Sequence, residues 1–156
     1  MRCGAITAPA RASFPERLHR IHSALVELLG ECRPDAVAVE SLFHAVNARS
    51  ALQLGHARGV ALLAASQAGL SVCEYPPAEV KRAVVGYGRA EKQQVQTMVT
   101  LLLGLAEPPE PFDASDALAV AICHIHTSGF ANGAAVPEAT AESRRAPRSW
   151  RHYKAI

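Results

Sequence analysis

Apolar and polar positions form short blocks along the chain, and their spacing changes between helical and extended patterns. In residues 13–32, apolar side chains recur at three- and four-residue intervals and share one helix face: Leu18, Ile21, Leu25 and Leu28. Ser13, followed three residues later by Glu16, predicts a capping box at the start of this helix. Further helices are predicted over residues 47–67, 77–85, 91–103 and 113–126.

Short apolar runs between these helices predict strands at residues 2–7, 35–40 and 71–75. The run DAVAVE at 35–40 is almost continuously apolar, as expected of a strand buried on both faces of a sheet. Strands that alternate with helices predict an α/β layer architecture.

Small residues mark one face of the helix predicted over 47–67. Ala51, Gly55 and Gly59 recur at four-residue spacing. Glycine costs a helix roughly 1 kcal/mol relative to alanine, so two glycines on one face indicate that another backbone passes close by.

Length and charge indicate one domain followed by a basic tail. A chain of 156 residues suits one compact domain, which we assign to residues 1–128. Residues 129–156 are rich in Ala, Gly, Pro and Arg and are predicted to be a disordered tail. Its positive charge fits nucleic acid, although a solvated end is the plainer interpretation.

Cysteine spacing and hydropathy exclude several classes of protein. The four cysteines are far apart and none has C-x-x-C spacing, which predicts reduced cytoplasmic thiols and no zinc site. No apolar run reaches membrane-spanning length, and the first residues do not resemble a signal peptide. We therefore expect a cytoplasmic protein with no membrane partner.

Three carboxylates are candidates for metal-ion chemistry. Glu40 ends an apolar strand, where ligands bind in open α/β sheets, although a strand can simply reach water there. Asp113 and Asp116 share a helix face, and hard oxygen ligands suit Mg²⁺. A helix cap and a first-turn acid explain the two aspartates equally simply.

Basic residues surround the glycine-rich segment VVGYGRAEK and could grip phosphates: Lys81, Arg82, Arg89 and Lys92. Surface lysines are common, so this cluster alone does not show that the chain binds phosphate groups. Phe43 follows Glu40 closely and fits either a core anchor or a platform on which a base stacks.

Taken in order, these segments resemble one family. AVAVESLFHAVNARSALQLGHARGVALLAA, YPPAEVKRAVVGYGRAEKQQVQTMV and DASDALAVAICH are similar to blocks of the RuvC Holliday-junction resolvases. The resemblance covers residues 2 to about 127. It implies a ribonuclease H-like α/β fold, with a mixed sheet flanked by helices.

The resemblance also implies a function. It predicts a magnesium-dependent endonuclease, with two Mg²⁺ ions per complete site and Mn²⁺ as a possible substitute. Such enzymes resolve four-way DNA junctions by paired symmetric nicks during recombination and repair. It further implies a homodimer, formed through the helix that carries Gly55 and Gly59, and contact with a branch-migration motor in a bacterial cytoplasm.

Residue roles follow from the same resemblance. Metal ligands are expected at Glu40, Asp113 and Asp116, and Lys92 is expected to act at the cleaved phosphate. The remaining DNA contacts are expected from Phe43, Lys81, Arg82 and Arg89.

The chain departs from the family pattern at its front. Family members begin with a strand bearing a catalytic aspartate and then a second strand, and neither is found before residue 2. We expect a sheet that lacks these two strands, a chain inactive as it stands, and a gene product that begins upstream of Met1. The alternatives are a junction-binding protein that does not cut, another ribonuclease H-like nuclease, and a small helical interaction protein.

Overall fold

The computed structural model describes residues 2–41 and 47–133 of the chain. Within these ranges five helices and two strands follow one another in a pattern close to the predicted one. They are α1 (Phe14–Cys32), β1 (Ala36–Glu40), α2 (Ala48–Gln67), β2 (Ser71–Tyr75), α3 (Pro77–Val85), α4 (Lys92–Leu102) and α5 (Phe112–Gly133).

The sheet of the described residues is the parallel pair β1–β2, connected through α2. Its register runs from Ala36 opposite Ser71 to Glu40 opposite Tyr75. One more backbone hydrogen bond, 2.8 Å from the Ser41 nitrogen to the Tyr75 oxygen, extends the ladder past the end of β1. Parallel strands joined by a helix match the apolar character of residues 35–40, although every residue of β1 is half-buried and not buried on both faces as predicted.

The start of α1 has the capping hydrogen bonds that the sequence predicts. The Glu16 carboxylate accepts a hydrogen bond from the Ser13 backbone at 2.6 Å, and the Ser13 hydroxyl accepts one from the Glu16 backbone at 3.5 Å. This capping box is confirmed. The helix ends at Arg33, which adopts the left-handed conformation at φ 44° and donates its N–H to the Leu29 oxygen.

The core lies between the strands and the last three helices. Helices α3 and α4 pack on α5, and α5 packs on both strands. The buried cluster consists of Tyr75, Val80, Val84, Ala90, Val95, Val99, Ala119, Val120, Ile122 and Cys123. Helix α1 contributes no buried residue and packs against α2. No helix of the described ranges is long and apolar enough to cross a bilayer.

The predicted strand at residues 2–7 is wrong. These residues form no regular secondary structure, and they lie beside Ala24 and Leu28 of α1. A strand requires a neighbour that satisfies its backbone groups, and the second edge of β1 has no strand partner among the described residues. The predicted mixed sheet is therefore a parallel pair in this part of the chain.

Helix α5 is longer than predicted. It continues to Gly133 instead of ending at His126, so the first residues assigned to the tail are helical. The hydroxyls of Thr127 and Ser128 donate to the Cys123 and His124 oxygens at 2.8 and 2.7 Å, which accommodates both residues inside a helix. Residues 134–156 of the predicted tail lie outside the described residues.

Candidate active site

A cavity of about 230 Å³ lies at the carboxyl end of β1, where α3, α4 and α5 meet the sheet. Each of these four elements contributes one charged side chain: Glu40, Lys81, Lys92 and Asp116. Apolar side chains complete the wall: Pro77, Val80, Val95 and Ala119. The structure thus brings together four of the residues that the sequence singled out.

Strand geometry explains why Glu40 faces this cavity. Side chains alternate between the faces of a strand, so Glu40 lies on the same face as Ala38. Ala38 and its partner Cys73 pack against the core formed with the last three helices. Glu40 therefore faces α5, the helix that carries Asp116.

The start of α5 is anchored by the loop that precedes it. The buried Ser115 hydroxyl donates to the Pro109 oxygen at 3.0 Å, and the Gln96 side-chain amide donates to the same oxygen at 2.9 Å. Ala114 and Ser115 are almost completely buried. Asp116, the next residue, is thereby held at the cavity wall.

Charges of opposite sign face one another in the cavity. Partial burial and the nearby Asp116 carboxylate raise the pKa of Glu40, while the ammonium groups of Lys92 and Lys81 act in the opposite direction. The Lys92 ammonium lies 3.4 Å from an Asp116 carboxylate oxygen. Glu40 and Asp116, two carboxylates that line one cavity, form a set of hard oxygen donors.

Arg58 of α2 was missed by the sequence analysis. One guanidinium nitrogen donates to the Glu40 backbone oxygen at 2.7 Å, and the other lies 2.5 Å from a Glu74 carboxylate oxygen. Its side chain is 17% exposed. A lone arginine in the small, apolar segment ARGVALLAA was the available signal, because a partly buried cation requires partners.

A second cross-link joins the sheet to α5. The hydroxyl of Tyr75 and Nδ1 of His124 lie 2.8 Å apart, and the two rings meet edge to face. Tyr75 is opposite Glu40 in the register, and His124 lies about two helical turns after Asp116. No role for His124 was expected from the sequence.

Other predicted site residues lie outside this cavity. Asp113 is exposed in the first turn of α5 and does not line the wall, and Arg82 and Arg89 are also exposed. Phe43 lies outside the described residues. Within residues 2–41 and 47–133, no three His, Cys, Asp or Glu side chains come close enough to hold a metal ion. A ligand role for Asp113 stays a prediction.

Comparison with known proteins identifies the family. Residues 1–124 match the family described as crossover junction endodeoxyribonuclease RuvC. The chain belongs to this family. It is 54% identical over 125 residues to the RuvC of Koribacter versatilis, covering 80% of this chain and 75% of that protein. It is 52% identical over 127 residues to the RuvC of Alkaliphilus oremlandii, covering 81% and 77%.

Solved structures agree with this assignment. Thermus thermophilus RuvC is 39% identical and superposes with a TM-score of 0.73, covering 80% of this chain and 75% of that one. The same protein in complex with a Holliday junction substrate gives a TM-score of 0.76, with 80% and 76% covered. The predicted resemblance and the ribonuclease H-like α/β fold are confirmed. The family is one of metal-dependent nucleases.

Proposed function

We propose that this protein resolves four-way DNA junctions by paired symmetric nicks, in homologous recombination and repair in a bacterial cytoplasm. The observation that carries the proposal is the cavity in which Glu40 and Asp116 face Lys81 and Lys92. Carboxylates that can hold a cation, beside ammonium groups that can meet a phosphate, suit the hydrolysis of a phosphodiester.

The donor set fits a hard divalent cation. Glu40 and Asp116 supply carboxylate oxygens. Partial burial and, after it, the nearby Asp116 charge raise the pKa of Glu40, and a bound cation would offset both effects. Glu40 and Asp116 would hold Mg²⁺, or Mn²⁺ in its place, and Asp113 is the further ligand that we propose. Two bound ions per site would activate a water molecule and stabilise the leaving oxygen.

The protein's own cations would act on the substrate. The Lys92 and Lys81 ammonium groups line the cavity and would offset negative charge that builds on the cleaved phosphate. Arg82 and Arg89, which are both exposed, would contact the DNA backbone. Phe43 would stack on a base at the junction centre.

A homodimer would present two such sites to the two-fold symmetry of a four-way junction. We propose α2 as its interface, because a side chain added at Gly55 or Gly59 would meet no atom of this subunit within 4 Å. The glycines border an open groove of about 500 Å³, beside Leu52 and Leu63, which are 64% and 51% exposed. A branch-migration motor is the further partner that the family implies.

Junction cleavage tests the proposal. A labelled four-way junction and a linear duplex of the same sequence are incubated with the protein in Mg²⁺, in Ca²⁺ and in EDTA. The proposed function predicts paired nicks in the junction alone, and only in Mg²⁺, whereas the inactive chain expected from the sequence would give no nicks. Glu40→Gln should bind the junction without cutting it, whereas the control Glu27→Gln, a change on the exposed side of α1, should behave like wild type.

Two outcomes would contradict this function. Equal cutting of the linear duplex would indicate another ribonuclease H-like nuclease. Junction binding without cutting in Mg²⁺ would favour a non-cleaving junction-binding protein. Among the described residues, the carboxylates that line the cavity are Glu40 and Asp116. Because this is a small ligand set, a junction-binding protein that does not cut is the main alternative to test.

A further inference from the structure

Arg58 connects α2 to the ends of both strands. Its guanidinium donates to the Glu40 carbonyl at 2.7 Å and pairs with Glu74 at 2.5 Å. Glu74 is opposite Val39 in the parallel register, one position before the pair of Glu40 and Tyr75. The guanidinium therefore reaches from the last residue of β1 to the neighbouring strand.

The peptide unit that joins Glu40 to Ser41 is held at both of its polar groups. Its carbonyl accepts from Arg58, and its N–H donates to the Tyr75 oxygen at 2.8 Å. A peptide unit is planar, so two fixed hydrogen bonds on opposite sides define its orientation. That orientation restricts the backbone at Glu40, and with it the direction in which the side chain leaves the strand.

We propose that Arg58 is a positioning residue, which orients the Glu40 carboxylate toward the cation in the cavity. The inference rests on the proposed function of this cavity. Arg58 contacts the backbone of Glu40, while the charges that act on the Glu40 carboxylate are those of Asp116, Lys92 and Lys81. Its effect is therefore geometric, like that of the outer partners that orient ligands at metal sites.

The chemistry of the contact requires arginine. A planar guanidinium presents several N–H donors in a fixed fork, and here two nitrogens reach two acceptors on different strands. A lysine ammonium lacks this fork, so Arg58→Lys should restore part of the effect at most. The ion pair with Glu74 also occupies the guanidinium, which argues against a role in gripping phosphate.

The test uses Arg58→Met, Arg58→Lys and Glu74→Gln, with Arg20→Met on the exposed side of α1 as the matched loss of one arginine. Amide hydrogen exchange is followed by NMR in the absence of metal and DNA. In Arg58→Met the Ser41 amide should exchange faster, while the amides of Val37 and Val39 stay protected. Arg20→Met should match wild type at all three positions.

Metal binding is the second measurement. Free Mn²⁺ is titrated by electron paramagnetic resonance, and Arg58→Met should bind it about 10- to 100-fold more weakly than wild type, as is typical when a ligand's outer partner is removed. Arg58→Lys should lie between the two. Glu74→Gln keeps the bond to the Glu40 carbonyl and should remain closer to wild type than Arg58→Met. Junction affinity should not change.

Several results would overturn the inference. One is unchanged Ser41 exchange together with wild-type Mn²⁺ affinity in Arg58→Met. Another is faster exchange along all of β1, which would mean that Arg58 only stabilises the fold. Weaker junction binding with a shallower salt dependence would make Arg58 a phosphate contact. A wild-type protein that neither binds Mn²⁺ nor cuts junctions would instead refute the proposed function, whatever Ser41 shows.

Discussion

Replacing Lys92 by methionine should separate a catalytic role from a structural one. The Lys92–Asp116 pair is long, at 3.4 Å, and its side chains are 63% and 37% exposed. Ion pairs with such exposure contribute about 0–1 kcal/mol to the free energy of unfolding, because solvent screens them. Lys92→Met should therefore lower that free energy by less than about 1 kcal/mol.

The expected loss of cleavage is much larger. Removing one preorganised donor that is aimed at a transition state typically costs about 10²- to 10³-fold in rate, or roughly 2.7–4 kcal/mol, and we expect a loss of this order for Lys92. The expected rise of the activation barrier is at least about 2.7 times the expected loss of stability, so a single variant distinguishes the two roles. If Lys92 acts on the phosphate, the rate should fall far more than the stability does.

The assay is single-turnover cleavage of a labelled junction by saturating protein, beside urea unfolding and junction binding in Ca²⁺. Arg2→Met is the matched control, because Arg2 also forms an exposed ion pair, with Glu31, but away from the cavity. The control should change neither rate nor stability. Wild-type cleavage by Lys92→Met would refute the catalytic assignment, and an equal loss of stability and rate would make Lys92 structural.

Three further predictions follow from the described contacts. Glu40→Gln should abolish cleavage without lowering the melting temperature at pH 7, since a raised pKa means that the charged form destabilises the folded state; a large loss of stability would contradict this. Tyr75→Phe should lower the free energy of unfolding by about 0.5–1.5 kcal/mol, because it breaks the part-buried hydrogen bond to His124; unchanged urea unfolding would show that water replaces it. Exposed cysteines should react with a thiol reagent in the native protein, whereas burial shields the Cys123 thiol and raises its pKa. Mass spectrometry should therefore find Cys123 modified only after unfolding.

Much of the fold could be predicted because its signals are local. The capping box of Ser13 and Glu16 fixes the start of α1 within a few residues of sequence. Strand β2 was predicted at its observed bounds, since a short extended run is delimited by its neighbours. The strand predicted at residues 2–7 is wrong for the opposite reason. Their sequence pattern is typical of a strand, but strand formation depends on a partner distant in the chain.

The candidate site was predictable in its residue types and not in its geometry. Glu40 and Asp116 each had a simpler explanation, and spacing alone could not place them on one cavity. Arg58 and His124 were missed because their contacts join segments that are 18 and 49 residues apart in the chain. Only the folded backbone brings such pairs together.

Contacts around the cavity explain how two carboxylates can be held close together in the folded protein. Glu40 and Asp116 disfavour each other electrostatically, so neither carboxylate holds the other in place. Their positions are fixed instead by neutral or backbone contacts: the Ser115 hydroxyl on the loop before α5, and the guanidinium of Arg58 on the Glu40 carbonyl. In a site assembled in this way the Asp116 carboxylate pairs only loosely with Lys92, at 3.4 Å, and both carboxylates can turn to a cation. The electrostatic penalty falls on Glu40, while neighbouring core residues such as Val95, Val99 and Ala119 are apolar and buried.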